Sequence, residues 1–329
     1  MSQHVREILR LPLRPDFLRN SMSEVYTADD LISGGKVFAD LNPPARLGVF
    51  GDPVAHSKSP VFHNAALRAA GIDMGYVRIH VPVEKAQAAF HALPKAGFLG
   101  ANVTIPHKAA ALAAVDEADD YARRSGSVNT VVVHGDRLLG FNTDGPGLVR
   151  AIREEFGVDL HDLRVVLLGA GGGAGRAIAV QCAMESCERL VLVNRTLEKA
   201  QALTAELASA FRTDHLVGPV DRIQAIPFDE PALRLQLAHA DLVINATSVG
   251  MRRTDPPLIP SALITPNLMV YDTVYASGKS RLLEDAAGAG ARCANGLGML
   301  LHQGALSFEI WFNRTAPLET MRQALASLP

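Results

Sequence analysis

The run Arg164-Val165-Val166-Leu167-Leu168, followed at once by Gly169-Ala170-Gly171-Gly172-Gly173-Ala174, constrains the fold of this chain more than any other feature. Its β-branched and leucine residues read as a buried strand, and the glycines after it mark a tight turn into a helix. In Gly169-x-Gly171-x-x-Ala174 the first glycine permits the turn and the second lets a phosphate approach the backbone. Free N–H groups and the dipole at the start of the next helix then favour an anion. Set between a strand and a helix within a repeating βα pattern, the turn reads as a dinucleotide-binding unit rather than a mere connector.

The 329 residues suffice for two domains, each with its own core. From Arg46 onward, apolar strand-like runs at 47–50, 75–80 and 100–103 alternate with helical patterns at 60–70 and 82–93, which implies a mainly parallel sheet. Runs at 130–134 and 138–141 flank Gly135-Asp136 and predict a hairpin added to that sheet. A helix over 145–156 leads into the glycine-turn unit. Its further strands are expected at 190–193, 242–245 and 269–271, and its helices near 176–184, 197–211 and 281–289. A long helical pattern at 297–312 and a last helix beyond Pro317 are expected to return to the first domain. The organisation predicted is therefore α/β throughout. It comprises an N-terminal extension at 1–45 with an ordinary solvated helix, a substrate-binding catalytic domain at 46–145 joined by helices at 297–329, and a doubly wound Rossmann-type domain at 146–296.

A formal net charge of -2 without long like-charge runs argues against nucleic acid or a membrane surface as partner. No apolar run approaches the roughly 20 residues of a membrane span, and the N-terminus lacks a secretory core. The three cysteines, Cys182, Cys187 and Cys293, have no metal spacing and are too few for a disulfide framework. The histidines lack metal spacing too. These features predict a cytoplasmic protein with a small-molecule substrate and no metal.

At the end of the second strand of a dinucleotide unit, NAD enzymes place an acid that accepts from the ribose hydroxyls. This chain has Asn194-Arg195-Thr196 there, with Lys199 one turn on. A guanidinium grips a 2′-phosphate through paired N–H donors and a lysine adds point charge, so NADP(H) is the cofactor expected.

Three stretches of the first domain follow strands, where open parallel sheets form their ligand crevices. In the segment from Gly51 to Pro60, Ser57 and Ser59 offer hydroxyls just before a helix, a setting that suits a small carboxylate, although Ser59 serves equally as a helix cap. Asn102, Thr104 and Lys108 leave the next strand toward the same crevice. Asn129 and Asp144 form the third group and can share hydrogen bonds to substrate hydroxyls. A lysine beside a carboxylate suits reversible carbonyl reduction, because an ammonium stabilises the alkoxide that forms and supplies its proton. His56 and His107 lie in these stretches and are read as structural or surface residues.

From about Arg46 to Phe312 these motifs together resemble the shikimate dehydrogenase family. The matching segments are the run from Gly51 to Pro60 with His63-Asn64, Asn102 to Lys108, Ser127 to Thr130, Asn142 to Gly145, the glycine turn, Asn194-Arg195-Thr196, Asn245 to Gly250, Tyr271-Asp272 with Tyr275, and Asn295 to Leu300 with Gln303. The resemblance implies NADPH-dependent reduction of 3-dehydroshikimate to shikimate, with Lys108 and Asp144 as the catalytic pair. It implies that Ser57 and Ser59 bind the substrate carboxylate near Tyr275, that Thr104, Asn129, Asp144 and Gln303 hold the ring and its hydroxyls, and that Thr247, Ser248, Met251, Gly296 and Met299 surround the cofactor. Two departures stand out. The glycine turn is one residue longer than the family's usual form, and Lys199 stands where many members have a second arginine. Two alternatives are a quinate-using or NAD-using relative, and a regulatory protein that binds NADP without catalysis. The chain is expected to act as a monomer or homodimer.

Overall fold

The structure, a computed structural model, describes residues 24–211, 221–275 and 278–328. The helix expected within the first 20 residues lies outside them. In the first half, the strands are β1 (Val25–Thr27), β2 (Ala45–Gly51), β3 (Gly75–His80), β4 (Gly100–Val103), β5 (Glu117–Ala118), β6 (Thr130–His134) and β7 (Arg137–Phe141). Between and after them run helices α1 (Ala28–Ile32), α2 (Lys36–Ala39), α3 (Ser59–Ala69), α4 (Ala86–Ala92), α5 (Lys108–Ala114), α6 (Asp120–Ser125) and α7 (Asp144–Phe156). The seven strands make one sheet in the order β1-β3-β2-β4-β6-β7-β5. The hairpin of β6 and β7 runs antiparallel, while β1 to β4 pair in parallel.

Residues 24–44 belong to this sheet layer, which corrects the expectation that an appendage precedes the core. β1 pairs with β3 at its edge, and Tyr26, Leu31 and Phe38 are buried in the same apolar cluster as Phe50 and Phe98. Strands and helices of three to five residues are too short to display a period, so their burial shows only in three dimensions.

The second half carries β8 (Arg164–Leu168), α8 (Gly173–Met184), β9 (Arg189–Asn194), α9 (Leu197–Leu207), β10 (Ile223–Pro227), α10 (Glu230–Leu237), β11 (Leu242–Asn245), β12 (Met269–Asp272), α11 (Arg281–Gly288) and β13 (Arg292–Asn295). Its six parallel strands lie in the order β10-β9-β8-β11-β12-β13, the doubly wound order whose switch point falls beside β8. Val165, Val166, Leu167 and Leu168 are buried on both faces, which is why β8 reads as an unbroken apolar run. Two strands escape the sequence pattern: β10, which ends in Pro227, and β13, where Arg292 and Asn295 flank only Cys293 and Ala294.

The chain ends in α12 (Leu297–Phe312) and α13 (Leu318–Ala326). Leu301, Ala305, Phe308, Met321 and Leu325 pack with Leu47, Val49 and Tyr76 of the first sheet and Phe62 of α3. The indole of Trp311 donates to the carbonyl of Val131 (3.0 Å) directly over Gly100, where a β-carbon would collide with it. α12 also packs along α7, so the two chain crossings between the halves lie side by side. Between them the crevice stays open.

Candidate active site

The loops after β2 and β4, Asn129 just before β6 and the start of α7 face the starts of α8 and α12 across a cavity of about 210 Å³. At its wall Lys108 Nζ donates to Asp144 Oδ2 (2.6 Å). The two side chains keep 31% and 15% of their exposure, so the pair is partly desolvated yet open to a ligand. Each is held from behind. His107 is buried, and its Nε2 donates to the Val81 carbonyl (2.6 Å), while the Lys108 carbonyl accepts from Val128 N–H (3.0 Å). Asp144 opens α7; its own N–H donates to Asn142 Oδ1 (2.9 Å), and its Oδ1 accepts from Asn129 Nδ2 (3.0 Å).

Asn129 is the hub of a buried network. Its Oδ1 accepts from Thr143 N–H (2.8 Å) and from the Thr130 hydroxyl (2.9 Å), and its Nδ2 lies 3.4 Å from Gln303 Oε1. Asn102 lines the cavity, but its amide is engaged: Nδ2 donates to Ser307 Oγ (2.9 Å) and Thr130 Oγ1 (3.1 Å), and Oδ1 accepts from Tyr76 OH (2.8 Å). Its role is therefore to hold the site rather than to reach a ligand through a free amide. A buried amide with all partners met is rigid, whereas one left unpaired would cost about 1–3 kcal/mol.

Ser57 and Ser59 stand at the far end, where Ser57 Oγ accepts from Ser59 N–H (3.3 Å). The buried guanidinium of Arg78 donates through Nε (3.0 Å) and Nη2 (2.6 Å) to the Ser57 carbonyl, which fixes the loop and brings positive charge toward the hydroxyls. Thr104, Tyr275 and Gln303 complete this wall. Desolvation, followed by the negative charge of Asp144, pushes the Tyr275 phenol up, so it stays neutral. Lys58 Nζ lies 5.7 Å from its ring centre. The site thus pairs a proton-bearing lysine with a hydroxyl-lined pocket for a small polar anion.

On the opposite side, Gly169 takes φ +87°, where a β-carbon would meet Thr247 Cγ2 at 2.6 Å. Gly171 N–H donates to Asn194 Oδ1 (3.2 Å), and a β-carbon on Gly171 would press on that amide. α8 starts without a side-chain cap, which leaves its first N–H groups for a ligand. The tight packing of the helix start falls on Gly175, which is buried and cannot carry a β-carbon without striking the Gly169 carbonyl. Ala174 is exposed and lines the cavity, while the Ala170 side chain turns into the core. Gly172 and Gly173 are exposed at the turn.

Arg195, Thr196 and Lys199 are exposed past β9, and neither cation has an ion-pair partner among the described residues. Thr247 is held by Asn245 Oδ1 (2.7 Å), whose amide also donates to the buried Asp272 carboxylate (2.8 Å). Burial raises the Asp272 pKa against the lowering hydrogen bonds of Ser280, Val274 and Asn245. Ser248 and Met251 are exposed beyond Thr247. Gly296 and Met299 line the cavity, with Met299 N–H donating to Tyr271 OH (3.0 Å). The glycine turn, uncapped helix and free cations fit a phosphorylated dinucleotide. Among the described residues no group of three or more His, Cys, Asp or Glu is placed to hold a metal.

Several contributors were not singled out from the sequence. Arg78 carried a usable signal, a charge inside the apolar run of β3. Thr130 and Thr143 lay inside the matching segments without a role of their own, and Ser307 carried no signal, since a serine among apolar residues is commonplace.

Three family models match the chain. The shikimate dehydrogenase substrate binding domain matches residues 49–131, shikimate / quinate 5-dehydrogenase matches 150–254, and the shikimate 5'-dehydrogenase C-terminal domain matches 296–326. The chain is 44% identical over 289 residues to the shikimate dehydrogenase (NADP(+)) of Symbiobacterium thermophilum, covering 87% of this chain and 95% of that one. It is 41% identical over 281 residues to that of Methanopyrus kandleri, covering 85% and 94%. The solved shikimate 5-dehydrogenase of Thermus thermophilus, in complex with NADP(H) and shikimate, superposes with a TM-score of 0.75 at 34% identity, covering 86% of this chain and 98% of that one. The order of motifs, the paired sheets and the lysine–carboxylate cleft between them agree with these likenesses: the chain belongs to the shikimate dehydrogenase family.

Proposed function

We propose that this chain catalyses the reversible, NADPH-dependent reduction of 3-dehydroshikimate to shikimate, a step of aromatic amino-acid (chorismate) biosynthesis. The observation that carries this reading is the Lys108–Asp144 pair, set in a cavity that reaches from Ser57 and Ser59 to the starts of α8 and α12. Ser57 and Ser59 hold the ring carboxylate with Tyr275 beside it, and Thr104, Asn129, Asp144 and Gln303 hold the ring and its hydroxyls. Asn102 keeps Asn129 in place. When bound, the nicotinamide supplies the hydride that reaches the carbonyl carbon. As the carbonyl oxygen gains charge, the Lys108 ammonium stabilises it and gives up a proton, which it regains from solvent. In the oxidative direction the lysine takes that proton from the hydroxyl. Asp144 aims the ammonium.

The glycine turn from Gly169 to Ala174, with the uncapped N–H groups of Gly173 and Ala174, would take the pyrophosphate, Asn194, Arg195, Thr196 and Lys199 the 2′-phosphate, and Thr247, Ser248, Met251, Gly296 and Met299 would surround the nicotinamide end. Free Cys182 and Cys187, both buried, suit a cytoplasmic enzyme, which we read as a monomer or homodimer. No helix among the described residues is long and apolar enough to cross a membrane. The test is one four-way assay of cofactor reduction, shikimate and quinate each against NADP and NAD. Shikimate with NADP is expected to be fastest; equal rates with NAD would sink the cofactor assignment, and faster quinate turnover the substrate.

A further inference from the structure

Beyond the catalytic pair, one hydrogen-bonded path crosses from the cofactor domain to Asp144. Arg176 sits in the first turn of α8, close to the glycine turn. Its guanidinium is gripped by both carboxylate oxygens of Glu206 on α9 (2.6 and 2.8 Å), which leaves it poorly disposed to bind phosphate. Its remaining donors point the other way, across the domain boundary. Nη2 donates to the Arg124 carbonyl (3.1 Å) and Nε to the Ser125 carbonyl (3.3 Å), two carbonyls of the last turn of α6 that have no helical partner. Tyr121 on α6 also donates to the Ala177 carbonyl of α8 (2.9 Å).

From Ser125 the path continues inward. Asn142, buried, donates through Nδ2 to Ser125 Oγ (3.2 Å), Ser127 O (2.9 Å) and Ser127 Oγ (2.9 Å), and its Oδ1 accepts from the N–H of Asp144 (2.9 Å). The next residue, Gly145, has no room for a β-carbon because the Tyr121 hydroxyl and the Gln181 amide of α8 already press on it. Three helices from both domains therefore meet one residue from the carboxylate that aims Lys108.

We propose that Arg176, acting through Ser125 and Asn142, is a positioning residue that couples the seating of α8 by the dinucleotide to the orientation of Asp144. The coupling rests on the dehydrogenase reading for its consequence in catalysis. A shift of α8 by a fraction of an ångström moves the last turn of α6, then the Asn142 amide, then the first turn of α7, and misaims a proton donor whose placement sets the rate.

The experiment compares the whole chain with Arg176→Met, Arg176→Lys, Asn142→Ala, Ser125→Ala and the Arg176→Met/Asn142→Ala double variant. Arg176→Met is expected to lower kcat about tenfold, while KM for shikimate and the calorimetric Kd for NADP change less than about twofold. Arg176→Lys, still able to reach the α6 carbonyls, recovers most of the loss. In the Asn142→Ala background the same substitution adds little, because both act on one path; Ser125→Ala replaces Asn142→Ala in that cycle if the latter does not fold. Hydrogen exchange of the segment 142–148 supplies a readout free of turnover. NADP slows it in the parent chain and not in Arg176→Met. Additive losses in the cycle, an unchanged kcat, a weakened NADP Kd as the sole effect of Arg176→Met, or exchange that NADP slows equally in both would overturn the coupling. A parent chain without shikimate oxidation sinks the dehydrogenase reading, and the exchange comparison still decides the inference.

Discussion

In the first domain Asn102, Asn129, Thr130, Thr143 and Ser307 bind one another through hydrogen bonds, and Asn142 binds Ser125 and Ser127 beside them. In the second, Arg195, Lys199, Ser248 and Met251 lie exposed around a glycine turn. The contrast teaches which kind of work each half does. Proton transfer to a small ring acid requires groups held to fractions of an ångström, so its scaffold is buried and fully paired. Holding a phosphate requires charge and backbone N–H groups within reach; on the function proposed above, the exposed Arg195 and Lys199 would supply the first and the uncapped start of α8 the second, without a rigid frame.

That contrast breaks most visibly at Lys108. Lys108→Ala is expected to lower kcat by about 10³-fold with little change in shikimate affinity, as befits a general acid–base group. Steady-state rates beside a calorimetric titration separate the two, and full activity in the variant would end the assignment. Next is the scaffold. Asn102→Ala takes the acceptor from buried Tyr76 OH and one donor from each of Thr130 and Ser307, and is expected to cost about 2–3 kcal/mol of stability, read from urea unfolding. On the cofactor side, Arg195→Ala is expected to raise KM for NADP about 30-fold and leave KM for NAD and the unfolding midpoint in place. A comparable loss with both cofactors would show that Arg195 does not read the 2′-phosphate.

The last effect concerns pH. His63 is wholly buried against Tyr76, and its ring nitrogens have no hydrogen-bond partner. Burial lowers its pKa from 6.5 to about 3, opposed by the Asn102 amide, which lies nearby outside hydrogen-bonding geometry. Unfolded chains take up a proton here below about 6.5, whereas folded ones do so only near 3. Stability is therefore intact above pH 6.5 and declines as pH falls toward 3, by up to about 1.4 kcal/mol per pH unit. His63→Asn should flatten that slope between pH 6.5 and 5; an unchanged slope would mean that the ring is protonated in the fold.

Much of this was legible in one dimension. Apolar alternation located β2, β3, β4, β8, β9, β11 and β12, because buried parallel strands read as dense apolar runs. The lysine, the carboxylate, the serines and the cations could be picked out because charged and hydroxyl side chains at strand ends are informative by position. The edge strand β1 was not, since three residues carry no period, nor were β10, which ends in Pro227, and β13, where Arg292 and Asn295 break the apolar run. Nor were Thr130, Thr143 and Ser307, whose value lies in what they touch.

By itself the sequence determined an α/β chain with a dinucleotide turn, an arginine where a ribose acid would stand, and two stretches bearing Lys108 and Asp144. Only the tertiary structure brought those two, 36 positions apart, to 2.6 Å. It also placed the close contact of the helix start at Gly175 and tied Arg176 to the far domain. The physical reason is that local patterns record which face a residue turns toward the core, while contacts across a sheet or a domain boundary depend on every turn between them.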